Sequence, residues 1–310
     1  MTPVQISADE LRRALPIEAA IEALEAAFRA ERLPEAPLRS QVQMGDATLL
    51  LMPAAGEGGV GVKLVTVNPA NPARALPLIH AIYVLFAPGT LEPVVLIDGG
   101  ALTALRTAAV SGLATRHLAR RDAHRLVLFG AGVQATAHLE AMLAVRPVDE
   151  VRVVGRSREN IQRLVELARS RGLRAQAAGP ESVADADLVC TCTTSPEPVF
   201  DGSTLPAGAH VNAVGSFQHH TRELDDEAVR RSRLVVETRE AALAEAGDLL
   251  IPIRAGTLRE SAIVADLSEV VRGAVLVRRK EEDITVFKSV GLALEDLAVA
   301  SAAAGRLLGG

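Results

Sequence analysis

Apolar and polar positions follow two different rhythms along this chain, and the rhythm changes near residue 120. Before it, Pro16 to Ala30 spaces its apolar residues three and four apart, which predicts an amphipathic helix. Short apolar or β-branched runs follow at Ser40 to Met44, Thr48 to Met52, Val60 to Val67, Leu78 to Phe86 and Val94 to Ile97. Turn signals separate these strands, among them Gly45-Asp46, Gly56 to Gly59, Asn68-Pro69 and Pro88-Gly89. Connections this short favour a largely antiparallel sheet. Ala101 to Ala119 then reads as a long helix that carries the chain out of this module.

From residue 125 onward strands alternate with helices. The strands are Leu126 to Phe129, Val151 to Val154, Leu188 to Thr193, His210 to Val214, Leu234 to Glu237 and Ile284 to Lys288. Helices are expected at Gln134 to Val145, Arg158 to Ser170 and Glu223 to Arg231. Such βαβ alternation means a parallel, doubly wound sheet. A last apolar helix, Leu292 to Leu308, can pack back onto the first module. The fold class is therefore α/β: a doubly wound domain over 119–291, and an α+β domain over 1–118 completed by 292–310.

Between the first strand and first helix of the second module stands Gly130-Ala131-Gly132-Val133-Gln134-Ala135, a G-x-G-x-x-A turn. Gly130 permits the tight turn, Gly132 lets a pyrophosphate approach the backbone, and Ala135 lets the helix pack close. The helix N-terminus then offers free N–H groups and the positive end of its dipole. A strand before and a helix after supply the context that a dinucleotide-binding, Rossmann-type motif requires. About 20 residues on, at the position that reads the ribose, the chain has Gly155-Arg156-Ser157-Arg158 and no acid. Two arginines and a hydroxyl suit a 2′-phosphate, so NADP(H) is read as preferred, with NAD(H) as the alternative. Hydroxyls at Thr193 and Thr194, after the third strand, are further candidates for the cofactor, against a simple role in the turn.

Composition narrows the classes. With 310 residues and 49% hydrophobic positions, the chain can build two sizeable cores. No apolar run approaches the ~20 residues of a membrane span, and no basic-then-apolar leader is visible. A net charge of −5 without a basic stripe argues against nucleic acid. The two cysteines, Cys190 and Cys192, lack the ligand count of a metal site, and read as reduced thiols of a cytoplasmic protein. No histidine has metal-ligand spacing. Of 33 basic residues only Lys63, Lys280 and Lys288 are lysines. A lysine kept in an apolar strand, as Lys63 and Lys288 are, suggests a site where arginine will not do, because a partly buried amine can lose its proton.

Arg39 beside a strand, Lys63 within one and Arg106 on the long helix are cations in apolar surroundings, which need a partner or a ligand. Facing one cleft they would clamp a carboxylate; alternatively each pairs with an acid such as Asp98 or Glu92. His80 reads as a hydrogen-bonded core residue. His219 and His220, in the loop after Gly215, read as solvated imidazoles rather than a catalytic pair.

Four segments together carry a resemblance: GVKLVTVNP at Gly61 to Pro69, LRTAAVSGLA within Asp98 to Ala114, the turn GAGVQA, and FKSVGLALEDLA near the end. The chain resembles the ornithine cyclodeaminase/mu-crystallin family over essentially its whole length. The resemblance implies a substrate and dimerisation domain, a nucleotide-binding domain and a homodimer. It implies cyclodeaminase, cyclic ketimine reductase or alanine-type dehydrogenase activity, or the ligand binding of mu-crystallin. It places Arg39, Lys63 and Arg106 at the substrate carboxylate, with Lys63 also a candidate for proton transfer, and Val290 and Gly291 near the nicotinamide. Gly130, Gly132, Val133 and Gln134 remain the residues of the phosphate turn.

One departure decides between these. The cyclodeaminases that the chain resembles carry an aspartate two residues after the glycine ending the fourth strand of the nucleotide domain. Here that glycine is Gly215 and the position holds Phe217, which cannot move a proton. Glu223, Asp225 and Asp226 read as helix N-terminal charges instead. The expected function is reduction of a small cyclic imino acid by NAD(P)H, rather than cyclodeamination of ornithine.

Overall fold

The computed structural model describes residues 2–74 and 76–309. The chain divides into two units, Met1–Ala109 with Leu292–Gly310, and Val110–Gly291.

The first unit opens with β1 (Val4–Ile6) and α1 (Ala8–Ala14), both too short to show in the hydrophobic pattern. Ser7 and Glu10 close a reciprocal capping box at the start of α1. α2 (Ile17–Arg29) buries one stripe, Ala20, Ile21, Leu24 and Phe28. The strands β2 (Ser40–Met44), β3 (Ala47–Gly56), β4 (Gly59–Val67), β5 (Ile79–Phe86) and β6 (Pro93–Asp98) follow. They form a sheet of order β1-β6-β5-β4-β3-β2. It is antiparallel except for β1, which lies parallel to β6. Register decides what each face carries. Met52, Lys63, Tyr83 and Ile97 stand side by side on one face, in a row across β3, β4, β5 and β6. That face is buried under the final helix, Ala293–Leu308, which also packs on α2. The other face presents Leu51, Leu64 and Ile82 in one row and Pro53, Val62, Val84 and Leu96 in the next. His80 lies on this outer side of β5 and is exposed, so it is not the core histidine that its apolar neighbours suggested. α3 (Gly99–Leu118) starts where Asp98 accepts from the Ala101 N–H at 2.8 Å. The division between units falls inside this helix, nine residues before the boundary expected at 118.

The second unit is an eight-stranded, wholly parallel sheet. Its strands are β7 (Arg125–Phe129), β8 (Glu150–Val154), β9 (Arg174–Ala177), β10 (Leu188–Thr191), β11 (His210–Ala213), β12 (Ser232–Val236), β13 (Ile263–Asp266) and β14 (Ile284–Lys288). Their order is β13-β12-β14-β11-β10-β7-β8-β9. The helices are α4 (Val133–Val145), α5 (Arg158–Ser170), α6 (Asp226–Arg230), α7 (Arg239–Glu245), α8 (Gly247–Ala255) and α9 (Leu267–Val271); the final helix of the first unit is α10. From β7 the chain runs outward through β8 and β9, then returns to β10 on the other side of β7. That reversal is the switch point where open α/β sheets bind ligands. Central strands β10, β11 and β14 are buried throughout, as expected when both faces of a parallel sheet are covered. The unforeseen elements β9, β13, α7, α8 and α9 are at most nine residues long. Glu223–Arg231 shrinks to α6, and the strand expected over Leu188–Thr193 ends at Thr191. Among the described residues no helix is long and apolar enough to cross a membrane.

Candidate functional site

The glycine turn sits at the C-terminal end of β7, at the switch point. Gly130 has φ +101°, and a Cβ there would lie 2.5 Å from the Cys192 carbonyl oxygen, so only glycine fits. Gly132 is the N-cap of α4, with no side-chain cap, and nothing lies within 4 Å of where its Cβ would stand. The first N–H groups of this 13-residue helix therefore receive no side-chain cap. Val133 is 73% exposed at the helix start, and the side-chain carbonyl of Gln134 is buried without a hydrogen-bond partner among the described residues. The residues of this turn fit a pyrophosphate: open backbone donors, no competing cap, and room for close approach.

Beyond β8, Arg156, Ser157 and Arg158 are exposed. Ser157 caps α5 by accepting from the Asn160 N–H. No hydrogen bond or ion pair engages Arg156 or Arg158 among the described residues, so both guanidinium groups are available to a phosphate.

Other expected contacts are already committed. Thr193 donates its hydroxyl to Glu223 at 2.7 Å, so the proton of this cofactor candidate is already used; Thr194 is exposed. The N–H groups of Val290 and Gly291 donate to the buried Glu237, both at 2.9 Å, and Ser289 adds its hydroxyl at 2.6 Å. Glu237 thus shapes this segment, with Gly291 at φ +82°. The backbone donors of Val290 and Gly291 are consumed.

A hub that the residue pattern does not announce stands at the C-terminal ends of the central strands. Glu223 is fully buried, outside any helix. It accepts from the Thr191 hydroxyl (2.8 Å), the Thr193 N–H and hydroxyl (both 2.7 Å), and the N–H groups of Gly215 (2.7 Å) and Ser216 (3.3 Å). Burial raises its pKa, opposed by the nearby Lys288 ammonium. Asp248 accepts from the N–H groups of Glu223 and Leu224 and pairs with Lys288 at 2.8 Å, while Lys288 also donates to the Ser216 carbonyl. The acids nearest Phe217 are thereby all engaged. Glu223 is the hub, Asp225 caps α6 and accepts from the Gly202 N–H, and Asp226 takes Arg222 and the Thr257 hydroxyl. Phe217 is half-buried, and His219 and His220 are exposed, stacked edge to face 5.0 Å apart.

Within the first unit Lys63 and Arg106 do come together, around acids other than those expected. Lys63 is 1% exposed. Its ammonium pairs with Asp296 at 2.8 Å. Arg106 pairs with Glu295 at 2.9 Å and with Asp296 at 3.4 Å. Both acids are 0% exposed, on the first turn of α10. Asp98 instead caps α3, and Glu92 is exposed. Burial pushes Lys63 down to about 8, helped by the positive charges of Arg106 and Arg39 and opposed by Asp296. Arg39 is half-buried and close enough to act on Lys63 through its charge. Tyr83 lies beside Lys63 in the sheet, fully buried, with its hydroxyl over Gly61 and without a hydrogen-bond partner among the described residues. Burial and the Asp296 charge keep it a neutral phenol. Such a cluster can hold a carboxylate and lend a proton near neutral pH. Among the described residues no group of three or more His, Cys, Asp or Glu could hold a metal ion.

Comparison with known proteins settles the lineage. The model of the ornithine cyclodeaminase/mu-crystallin family matches residues 3–310. The chain belongs to this family. Among curated members, a Delta(1)-pyrroline-2-carboxylate reductase of Bacillus cereus is 39% identical over 306 residues, covering 95% of this chain and 94% of that protein. Among solved members, the Delta(1)-pyrroline-2-carboxylate reductase of Thermococcus litoralis, in complex with NADH and L-proline, superposes with a TM-score of 0.93. It is 34% identical and covers 99% of this chain and 98% of its own. An archaeal alanine dehydrogenase dimer with bound NAD superposes with a TM-score of 0.94 at 30% identity, covering 100% of this chain and 97% of that one.

Proposed function

We propose that this family member is an NAD(P)H-dependent reductase of a small cyclic imino acid, of the pyrroline- or piperideine-2-carboxylate type. The observation that carries the reading is Lys63, a buried amine pushed down to about 8 and held between Asp296 and Arg106. Arg106 and Arg39 take the substrate carboxylate; Lys63 gives a proton to the ring nitrogen and is left as a neutral amine. The nicotinamide, when bound, supplies the hydride to the C=N carbon. Gly130, Gly132, Val133 and Gln134 hold the pyrophosphate, and Val290 and Gly291 line the nicotinamide through side chain and shape rather than through backbone donors. The lyase alternative is disfavoured by Phe217 and by the engagement of Glu223, Asp225 and Asp226 elsewhere.

NADP(H) is the preferred cofactor, supported by the exposed, unengaged Arg156 and Arg158. Arg156→Ala should weaken NADPH binding by about 1.5–3 kcal/mol and leave NADH binding nearly unchanged. Calorimetric titration of both cofactors checks this, and tighter binding of NADH than NADPH by the unaltered protein refutes it. The homodimer reading is supported by the outer face of the first sheet, where Val42 and Ile82 are exposed apolar residues. Free thiols at Cys190 and Cys192 fit a reducing, cytoplasmic setting. The deciding experiment follows NAD(P)H oxidation with a panel of cyclic imines and 2-oxo acid/amine pairs, beside L-ornithine with catalytic NAD. Turnover of a cyclic imine without release of ammonia and proline from ornithine supports the reading; the reverse pattern overturns it.

A further inference from the structure

We propose that Asp296 is the positioning residue for Lys63 and Glu295 the positioning residue for Arg106, two consecutive acids dividing one site between them. The inference rests on the reading of Lys63 and Arg106 given above. Neighbouring residues on a helix point about 100° apart, and here the divergence is used. From the first turn of α10, Glu295 reaches Arg106 on α3, and Asp296 reaches Lys63 on β4 while touching Arg106 Nε only at 3.4 Å. Both carboxylates are fully buried. A buried carboxylate is tolerated only when paired, and the helix N-terminus favours its charged form. The groups acting on Lys63 come from every side. Asp296 on α10 favours the ammonium, while Arg106 on α3 and Arg39 ahead of β2 oppose it. Tyr83 on β5 is neutral, and the β3 neighbour is Met52. Asp296 is thus the carboxylate that keeps Lys63 protonated against burial and two guanidinium groups.

The division makes the two acids separable. Removing the Asp296 charge leaves Lys63 with burial and repulsion alone, so its midpoint falls; removing the Glu295 charge loosens Arg106 and weakens the hold on a carboxylate. Three lysines in the chain make this directly measurable by carbon-13 labelling of lysine, with Lys63→Met identifying the Lys63 signal. The expected result is a Lys63 midpoint about one pH unit or more lower in Asp296→Asn. Asp296→Glu should restore it. Glu295→Gln should leave the midpoint in place and raise KM for the imino acid about tenfold or more. An unchanged midpoint in Asp296→Asn overturns the proposal. So does a midpoint that falls by about one pH unit or more in Glu295→Gln, a measurement that remains decisive if Asp296→Asn does not fold. The titration needs no turnover. A pH–rate profile that ignores a Lys63 midpoint set by Asp296 supports this proposal while sinking the proton-donor reading.

Discussion

Two buried lysines, one in each unit, are each 1% exposed and each pair with an aspartate at 2.8 Å. Their surroundings differ in sign. Lys288 faces Asp248, the Ser216 carbonyl and the charge of Glu223, and the two carboxylates also accept from backbone N–H groups of the surrounding loops. Lys63 faces one carboxylate and two guanidinium groups, and burial together with those positive charges lowers its pKa to about 8. Equal burial thus gives opposite roles. A lysine among acceptors reads as a fastening, whereas the lowered pKa of one crowded by other cations suits the proton donor proposed above.

The comparison breaks first at Lys63. Lys63→Arg keeps the charge but cannot release a proton, and should lower kcat about 10²–10⁴-fold with the melting temperature little changed. Steady-state kinetics beside calorimetry decide it, and near-normal kcat would remove the distinction between the two lysines. Lys288→Met should do the opposite. It leaves Asp248 buried and uncompensated, and should cost about 3–5 kcal/mol of stability, read by urea unfolding. A loss below about 1 kcal/mol would show that Lys288 is not a fastening.

A smaller effect sharpens the contrast through pH. In the second unit His138 donates or accepts between the Gln134 carbonyl and Ser111, and His210 between Thr285 and Asn212. Burial pushes them down to about 4 and about 3 respectively. Their unfolded pKa is about 6.5, so the folded state favours the neutral rings. That stability is complete above about pH 6.5 and is lost as the pH falls toward the folded values, at about 1.4 kcal/mol per unit for each ring. Urea unfolding at pH 7, 6 and 5 measures the slope. His138→Gln should reduce it; an unaltered slope assigns acid sensitivity elsewhere.

What could be read in advance follows from range. The glycine turn, the parallel module and the strands around Lys63 announce themselves through local spacing. Lys63 and Arg106 stood out because charges interrupt apolar runs. Their partners did not, although Glu295-Asp296 inside an otherwise apolar helix was a visible signal of the same kind. Glu223 gave no signal. It lies among Arg222, Asp225 and Asp226, so it reads as one more surface charge, and its partners are mainly backbone N–H groups and hydroxyls brought to it by the sheet. Committed donors at Thr193, Val290 and Gly291 were equally hidden, because consumption of a backbone group leaves no trace in residue type.

The place of α10 has a consequence for biosynthesis. The helix that covers the first sheet, and that carries the counter-ions of Lys63 and Arg106, leaves the ribosome only after residues 110–291. Until then the nascent sheet holds two cations without their acids and an uncovered apolar face. Its Rossmann-type neighbour is continuous in sequence and can fold as it emerges. The first unit therefore closes last, by docking a C-terminal segment across a very long loop, and chains released early should be recognised by chaperones through that bare face.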